Sequence, residues 1–361
     1  MQRIITRIPL FLILTTGLFP CEEECCYPPP FYDLECDEGY FLSGEFLLWY
    51  ARESNLSYAV QFSSKETPLG NDPAFAPQSY KNLKTNWDPG FRIGIGWNSC
   101  WDGWDWYGHW TYFRNRRSDT SSVSEYGSQG NPFVPKAGET ALFNPWQNPA
   151  ATNGFISFDQ MSAKWRLFLN EIDFEVGYKF WLSPFFTLRP FAGVRGAWTK
   201  TKWNLSSKRE DLLECFDRFR NRYWGVGFVA GLQPGWYFCE NFLLFANTDA
   251  ALIWGQFEAK KRENYRSNEA AYHNTSHQKF YMMQAILDLS VGLRWEEYWC
   301  CNRYRTALDF AWEHHIWFDH NHRVQLSSQE KVNAFSAITA FTEVNGNLMM
   351  GGPTFRFRFD F

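Results

Sequence analysis

The stretch GGPTFRFRFDF, residues 351–361, decides the fold class of this chain. Aromatic side chains occupy every second position, namely Phe355, Phe357, Phe359 and Phe361. The positions between them hold Arg356, Arg358 and Asp360. Side chains alternate between the two faces of a β-strand, so this strand has one aromatic face and one charged face. Such a strand suits either a soluble sandwich or a membrane barrel that turns its rings to lipid and its charges to the lumen.

The composition favours the barrel. Aromatic residues make up 20% of the 361 residues, yet the mean hydropathy is −0.42. A large inventory of apolar rings in a hydrophilic chain is typical of strands that each have one apolar and one polar face. The formal charge of −4 identifies no partner. A nucleic-acid-binding chain would carry a basic stripe, and none is visible along the sequence, so no nucleic acid is expected as a partner.

The amino-terminal residues predict export. The longest apolar run, Ile8 to Phe19, is too short for a spanning helix and follows Arg3 and Arg7, as in a secretory signal. We assign residues 1–20 to a signal peptide with an unassigned cleavage point, 21–38 to a Cys- and Pro-rich periplasmic lead-in, and 39–361 to a barrel. After export without a later membrane helix, only a closed barrel could span lipid. The expected location is therefore the bacterial outer membrane.

Alternating segments predict an all-β, transmembrane antiparallel barrel of about ten strands, with 12 or more as the alternative. A helical period would scatter the carboxylates Glu171, Asp173 and Glu175 around an axis, whereas a strand places them on one face. The predicted strands span residues 40–62, 87–98, 103–114, 165–179, 185–201, 220–238, 241–260, 280–296, 303–318 and 347–361.

The connections between these segments alternate in length. Short turns fall near Cys100, Pro184, Cys239 and Cys301. Long loops are predicted at residues 63–86, 115–163, 204–217, 262–277 and 319–346. Short turns at one end and long loops at the other are typical of outer-membrane barrels, whose short turns are periplasmic.

Charged residues on the inferred inner faces are the candidate functional set. Both signs occur, which suits a hydrophilic path for small solutes. A barrel near eight strands is filled by its own side chains, however, so opposite charges could instead pair and plug the bore. Missed strands within residues 115–163 would favour a pore. The candidate lumen charges are Glu171, Asp173, Glu175, Arg189, Arg195, Asp288, Arg294, Arg356 and Arg358, together with Glu45, Arg92, Asp105, His109, Asp249, Arg305, Asp309 and Glu313.

Several Trp-rich blocks, in order and spacing from about Gly39 onward, resemble the major outer membrane protein family of Legionella and of Chlamydia-related bacteria. They include WDPGFRIGIGWNSCWDGWDWYGHWTYF (87–113), YWGVGFVAGLQPGWYF (223–238), ALDFAWEHHIWF (307–318) and the final FRFRFDF. The resemblance implies an abundant, porin-like outer-membrane barrel in a disulfide-linked envelope, and it brings no catalytic residues. The expected function is thus porin-like passage of small hydrophilic solutes. The alternative is a structural or adhesive barrel with a filled lumen and no role in permeation.

The cysteines suggest cross-linking. On the predicted topology most of the nine lie on the periplasmic side, where disulfides form. Covalent links between barrels or to other Cys-rich envelope proteins, and internal bridges that staple turns, are equally compatible with the spacing. The candidate residues are Cys25, Cys26, Cys36, Cys100, Cys239, Cys300 and Cys301, while Cys215 falls in an outer loop.

Other chemistry has weaker signals. The sequence EHHIWFDHNH places His314, His315, His320 and His322 close together, as a transition-metal site would. Adjacent His314 and His315 point to opposite faces of a strand, so a polar loop tip is the favoured interpretation and no metal or cofactor is predicted. A hydrolase could recruit Asp105, His109, Glu313 and His315, but no motif fixes a nucleophile and a base. The chain is therefore predicted not to be an enzyme.

The terminal Phe361 resembles the signal by which outer-membrane barrels are recognised for assembly. The expected partners are outer-membrane lipid, the barrel-assembly machinery, further copies of the chain in a homo-oligomer, and Cys-rich envelope proteins. Deleting Phe361 should lower the amount of assembled barrel without altering the properties of the molecules that assemble.

Overall fold

The computed structural model describes residues 39–63, 76–99, 103–123, 140–147, 157–209, 213–239, 241–267, 271–300, 303–328 and 339–361. Within this part of the chain no helix is long and apolar enough to cross a bilayer. The strands found there are β1 (Gly39–Glu53), β2 (Ser57–Ser63), β3 (Ala76–Asn82), β4 (Trp87–Asn98), β5 (Trp104–Ser122), β6 (Thr140–Phe143), β7 (Ser157–Phe158), β8 (Gln160–Tyr178), β9 (Phe180–Ser183), β10 (Phe186–Arg209), β11 (Leu213–Cys239), β12 (Phe242–Ser267), β13 (Ala271–Trp299), β14 (Tyr304–Ser328) and β15 (Thr339–Asp360).

Ten of these strands form a closed antiparallel barrel in the order β1-β4-β5-β8-β10-β11-β12-β13-β14-β15. The last strand pairs with the first, with Phe41 opposite Asp360 and Phe46 opposite Phe355. The amide of Tyr40 donates to the carbonyl oxygen of Phe361 at 2.9 Å, and the amide of Phe361 donates back at 2.8 Å. The predicted count of ten strands is confirmed, and the final strand closes the barrel.

The barrel wall has the two faces that the alternation predicted. Outward rings include Phe228, which is 76% exposed, and Trp254, which is 55% exposed. On β15, Phe355 and Phe357 are half exposed, whereas Arg356 stacks on Tyr107 inside the barrel. A wall that is apolar outside and charged inside is the arrangement of a barrel that spans a membrane.

The barrel strands are longer than the alternating apolar pattern indicated. Most of the predicted loops at residues 204–217 and 262–277 are strand, because β10 runs to Arg209, β11 begins at Leu213 and β12 runs to Ser267. The outward face becomes polar beyond the lipid, so the apolar alternation ends before the pairing does. The inward face still buries Trp203 and Leu205 there, which keeps the extension in register.

A second, four-stranded sheet has the order β3-β2-β6-β7. Its strands come from the segments that follow β1 and β5 at the outer end, the end opposite the short turns. The predicted strand at 40–62 is therefore two strands, separated at Ser54–Leu56. The predicted loop at 115–163 does contain extra strands, β6 and β7, but they pair in this small sheet and do not widen the barrel.

The short turns lie at one end, which we call the inner end. At the turn from β4 to β5, Gly103 has a φ of 78°. Glycine adopts this backbone conformation at little energetic cost, whereas a residue with a side chain would be strained. The amide of Ser99 donates to the carbonyl oxygen of Trp104 at 2.8 Å and closes this turn. The chain thus reverses within a few residues at the inner end, as periplasmic turns do.

Candidate functional site in the barrel lumen

The middle of the lumen is crossed by a network of paired charges. Arg195 on β10 donates to both oxygens of Asp173 at 2.8 and 3.0 Å and to Asp288 at 2.5 Å. Its side chain also reaches Asp249 at 3.2 Å. Arg195 is 3% exposed and Asp173 is fully buried, so these charges must be matched by partners within the protein.

The same network continues to the other side of the barrel. His315 Nδ1 lies 2.7 Å from Asp288, and its Nε2 lies 3.3 Å from Glu313. Arg92 then contacts Glu313 at 3.2 Å and Glu45 at 2.5 Å. With His109, whose Nε2 lies 3.0 Å from Asp173, the network takes side chains from β1, β4, β5, β8, β10, β12, β13 and β14. A continuous set of ion pairs therefore ties most of the barrel wall together across its bore.

The inner end of the lumen holds a cavity of about 370 Å³. Arginines dominate its charged lining, and most of them are already matched. Arg294 donates to both oxygens of Asp309 at 2.7 and 2.9 Å, and Arg305 donates to both oxygens of Asp360 at 3.2 and 2.9 Å. Toward the middle network the free space narrows to a cavity of about 80 Å³. The bore thus has room for water at its inner end and is tight at its centre.

The outer end is packed with aromatic side chains, a group that we call the outer plug: Trp49, Trp146, Trp165, Trp203, Phe219, Tyr223, Phe257 and Trp317. Each is at most 5% exposed. Trp146 and Trp203 meet edge to face at 5.2 Å between ring centroids, and Trp203 lies 5.1 Å from Phe219. Edge-to-face pairs of this kind stabilise packed cores. The outer plug belongs to one apolar cluster with the small sheet, through Tyr58 on β2 and Leu142 on β6.

A polar clamp holds the outer plug in place. The amide of Asn144 donates to Asp217 at 2.7 Å, and Lys261 Nζ donates to the carbonyl oxygen of Trp146 at 2.5 Å. The indole of Trp146 donates to the carbonyl oxygen of Ser57 at 2.9 Å. Segment 140–147 is therefore bound inside the outer mouth by wall residues from two barrel strands.

A buried ion pair completes the outer mouth. Arg323 donates to Glu53 at 2.7 Å while its guanidinium lies 4.5 Å from the centre of the Trp203 ring. The indole of Trp165 donates to the same carboxylate at 3.1 Å. Burial lowers the pKa of Arg323, and the Glu53 carboxylate opposes that shift. This pair links β1 and β14 above the lipid-facing band.

Asp217 lies in an acidic environment above that band. Burial raises the pKa of Asp217 to about 7, against the effect of Lys261, and the neighbouring Glu263 adds to the rise. Burial, Asp217 and Glu263 also raise the pKa of the Cys215 thiol. The group Cys215, Asp217 and Glu263 has ligand atoms within 4.8 Å of one another. Lys261 already places an ammonium 3.5 Å from Glu263 and 4.0 Å from Asp217, and so acts as the cation of this cluster.

A second group with metal-ligand spacing is His109, Asp173 and Glu175. Here too arginines supply the positive charge, since Arg195 holds Asp173 and Arg189 lies 3.5 Å from Glu175. The four histidines of residues 314–322 do not converge. His314 is on the outer face and His315 is in the charge network. His320 packs against Trp317 of the outer plug, and Thr199 Oγ1 lies 2.7 Å from its Nε2.

All of the predicted lumen charges lie on the inner faces of the barrel strands. Glu171, Asp173, Glu175, Arg195 and Asp288 are buried, and Arg189, Arg294, Arg356 and Arg358 are half-buried. The candidate hydrolytic residues are engaged elsewhere, because Asp105 accepts from Arg189 near the inner end while Glu313 and His315 belong to the middle network.

Among the described cysteines, Cys215 and Cys239 are free and Cys300 is in a disulfide bond, whose partner lies outside the described residues. Cys215 was predicted to lie in an outer loop, and it is a buried residue of β11. Cys25, Cys26, Cys36, Cys100 and Cys301 lie outside the described residues.

Sequence reasoning missed the outer plug and its clamp. Asn144, Trp146 and Lys261 contribute to it, as does the pair of Glu53 and Arg323, and none was a candidate. The detectable signal was the continued alternation of KTKWNLSSKR, residues 200–209, in which Thr201, Trp203 and Leu205 face inward between polar or cationic positions.

Residues 35–361 match the family described as Legionella pneumophila major outer membrane protein precursor. No curated protein matches the chain. Among solved structures, the outer membrane protease OmpT from Escherichia coli is 11% identical, with 91% of this chain and 98% of that chain covered and a TM-score of 0.43. The toluene transporter TodX of Pseudomonas putida is 12% identical, with 89% of each chain covered and a TM-score of 0.33. Likenesses this distant assign no activity. The match over residues 35–361, the closed ten-stranded barrel and the apolar outer face make this chain an outer-membrane β-barrel protein that belongs to the major outer membrane protein family of Legionella.

Proposed function

We propose that the protein is a structural, non-catalytic component of the outer membrane, whose lumen is closed to solutes in the described state. The observation that carries this proposal is the filled bore. The middle network spans the lumen between opposite walls, and the outer plug covers it with side chains that are almost fully buried. Ten strands leave a bore that side chains can fill, unlike the wide lumen of 16-stranded porins.

Single-channel recording tests the closed lumen. The purified barrel inserted in a planar bilayer should give no conductance steps, while an open porin in the same bilayer serves as the control for membrane and electrodes. A variant with Asn144→Ala and Lys261→Met, which lacks two contacts that hold the outer plug, should also be silent because the middle network remains. Steps from either protein would contradict a sealed barrel.

Porin-like passage of small hydrophilic solutes is the second candidate, and one observation favours it. The inner and middle cavities share Tyr107, Gln233, Asn247 and Arg356 in their linings, so the free space reaches from the inner end to the centre of the bore. Part of the remaining closure comes from segment 140–147, which is not part of the wall. Under this candidate the Asn144→Ala, Lys261→Met variant conducts more than the unaltered barrel does.

The absence of catalysis is part of the same proposal. His109 and His315 are held by buried carboxylates in the membrane interior, where a peptide could not reach them. A panel of fluorogenic peptides and esters should be hydrolysed no faster with the barrel than in detergent alone. Turnover that disappears with His109→Ala or His315→Ala would overturn this part of the proposal.

Cross-linking in the envelope is the remaining part. Cys239 is exposed and free at the inner end, where an oxidising compartment would allow it to pair with another chain. Non-reducing gels of isolated envelopes should show higher bands that a reductant removes and that Cys239→Ser weakens. Cys215→Ser is the matched control, because that thiol is buried. Identical bands for the two variants would rule out Cys239 as the linking residue.

A further inference from the structure

An in-register row of cations crosses the outer surface of the barrel just above its apolar band. Arg116 on β5 is opposite Arg166 on β8, which is opposite Lys202 on β10. Lys202 is opposite Arg220 on β11, which is opposite Lys260 on β12. We call these five residues the basic ladder. With strands about 4.8 Å apart, it extends roughly 19 Å around the barrel.

The ladder side chains point away from the lumen. Arg116, Arg166 and Arg220 are exposed, and Lys202 and Lys260 are half-buried, whereas the neighbouring Trp165, Trp203 and Phe219 are buried inside. The rows above and below are also basic. Arg218 and Arg262 are opposite each other in the row above, and Lys200 and Arg222 in the row below. The ladder is therefore the centre of a basic surface on five adjacent strands.

Within the described part of the chain, this surface has almost no matching carboxylates. Glu258 contacts Lys260 at 2.6 Å and Arg222 at 3.4 Å. The Asp88 carboxylate accepts a hydrogen bond from the backbone amide of Arg116 at 2.7 Å, but among the described residues no carboxylate forms an ion pair with the side chain of Arg116, Arg166, Lys202 or Arg220. Like charges directly opposite each other on neighbouring strands are destabilising, so this surface is incomplete without anions.

The position of the ladder indicates where the anions come from. The outward rings below it include Trp198, Trp224 and Trp254, each about half exposed. Such rings mark the interface between hydrocarbon and headgroups. Lys202 is four residues beyond Trp198, which on a tilted strand is about 10 Å higher and within the headgroup layer of the outer leaflet.

We propose that the basic ladder binds the phosphate groups of a phosphorylated glycolipid of the outer leaflet. The acyl chains of that lipid lie against Trp198, Trp224 and Trp254, and its phosphates accept hydrogen bonds from the guanidinium and ammonium groups above. The arginines of the ladder favour a phosphate as partner, because the planar guanidinium group can donate two hydrogen bonds to one phosphate. A ladder of about 19 Å holds more than one phosphate, so it neutralises neighbouring headgroups that would otherwise repel each other.

The ladder is confined to one side of the barrel. Next to Lys260 the row meets His277 on β13, and next to β5 the strand β4 begins at Trp87, so the run of five Lys and Arg side chains ends at both edges. The lipid is therefore held at a site on β5, β8, β10, β11 and β12, and does not form a uniform collar.

Binding of lipid by matched variants tests the proposal. The probes are detergent micelles that contain a bisphosphorylated glycolipid, the same lipid after enzymatic dephosphorylation, inorganic phosphate, or heparin. The readouts are the unfolding temperature from heat-modifiable gels and the affinity from microscale thermophoresis. The ladder variant is Arg166→Gln with Arg220→Gln, and the control is Arg52→Gln with Lys84→Gln, which removes the same charge elsewhere on the outer part of the chain.

The phosphorylated lipid should raise the unfolding temperature of the unaltered barrel and of the control, and the ladder variant should bind it at least tenfold more weakly. Without lipid, the ladder variant should be at least as stable as the unaltered barrel, because it has fewer opposed cations, and this shows that it folds. Equal responses to the phosphorylated and dephosphorylated lipids would overturn the proposal, as would unchanged affinity of the ladder variant. Binding of heparin with no response to the lipid would assign the surface to a soluble polyanion instead.

Discussion

Arg195 and Arg220 lie on the neighbouring strands β10 and β11, yet they sit in opposite electrostatic environments. Arg195 points inward, is almost fully buried and is surrounded by Asp173, Asp249 and Asp288. Arg220 points outward, is exposed, and is directly opposite two further cations, Lys202 and Lys260. The same side chain is matched within the chain in one place and left unmatched in the other.

This difference between Arg195 and Arg220 shows that the location of a cation decides whether its partner is in the protein or in the membrane. A buried cation must be paired within the protein, because an unpaired ion in the interior is very costly. An outward cation at the headgroup level has anionic lipid beside it and needs no carboxylate from the chain. The charges of the lumen are therefore matched within the folded chain, whereas the charges of the basic ladder are matched by anionic lipid around it.

The largest effect is expected from Arg195→Met. This change keeps much of the side-chain volume but removes the arginine that Asp173, Asp249 and Asp288 share, which should cost about 3–5 kcal/mol of stability. Arg220→Met is the matched control on the outer face and should change stability by less than about 0.5 kcal/mol in detergent. Urea unfolding followed by heat-modifiable gel mobility measures both. Equal losses for the two variants would remove the distinction between inward and outward arginines.

The second largest effect concerns Asp217, an inward carboxylate whose charge Lys261 neutralises only in part. The raised pKa of Asp217, about 7 against its usual 3.8, means that its contribution to stability is present below pH 4 and is lost as the pH rises through 7. Between pH 5 and pH 8.5 we expect a loss of about 1–3 kcal/mol. The loss should appear as faster hydrogen exchange in segment 140–147, which Asn144 ties to Asp217.

Asp217→Asn is the control for this pH dependence, since the amide cannot ionise and keeps a similar shape. Its exchange rates in segment 140–147 should vary much less with pH once intrinsic exchange is subtracted. A pH dependence that persists unchanged in this variant would assign the effect to another group of the same cluster, such as Glu263.

The inward half of this comparison could be predicted from the sequence and the outward half could not. Arg195 and Asp173 each lie on the polar face of an alternating strand. Whether each side chain points inward therefore follows from its odd or even position in that strand. The basic ladder depends on register, because Arg116, Arg166, Lys202, Arg220 and Lys260 come together only when five strands pair. No basic stripe was visible along the sequence for that reason.

The outer plug escaped prediction for a different reason. Trp146 lies in a segment rich in Asn and Pro, which is typical of exposed coil, yet it is buried against Trp203 and Phe219. The local composition of a segment indicates that it forms turns or coil, but it does not indicate which other residues the segment packs against. Tertiary packing at the outer mouth decided its place.

The third effect is smaller and has the opposite sign. Arg220→Glu places a carboxylate between Lys202 and Lys260, so two repulsive cross-strand pairs become attractive. In detergent without anionic lipid this charge reversal should raise stability by about 0.5–1 kcal/mol. In micelles with the phosphorylated glycolipid the sign should invert, because the new carboxylate repels phosphate. A destabilised variant in both media would mean that Arg220 packs against the wall in a way that charge does not explain.

The smallest effect comes from salt alone. Raising the ionic strength from 0.05 to 0.5 M shortens the screening length severalfold and should weaken the repulsion along the exposed ladder, while the buried pairs of Arg195 are little screened. Without anionic lipid, salt should therefore stabilise the unaltered barrel by a few tenths, about 0.3 kcal/mol, and should stabilise the Arg166→Gln, Arg220→Gln variant less. With the phosphorylated lipid present, salt should instead weaken binding and lower the unfolding temperature of the unaltered barrel. The two opposite responses come from one row of side chains, because the outward cations repel each other when alone and bind phosphate when the membrane supplies it.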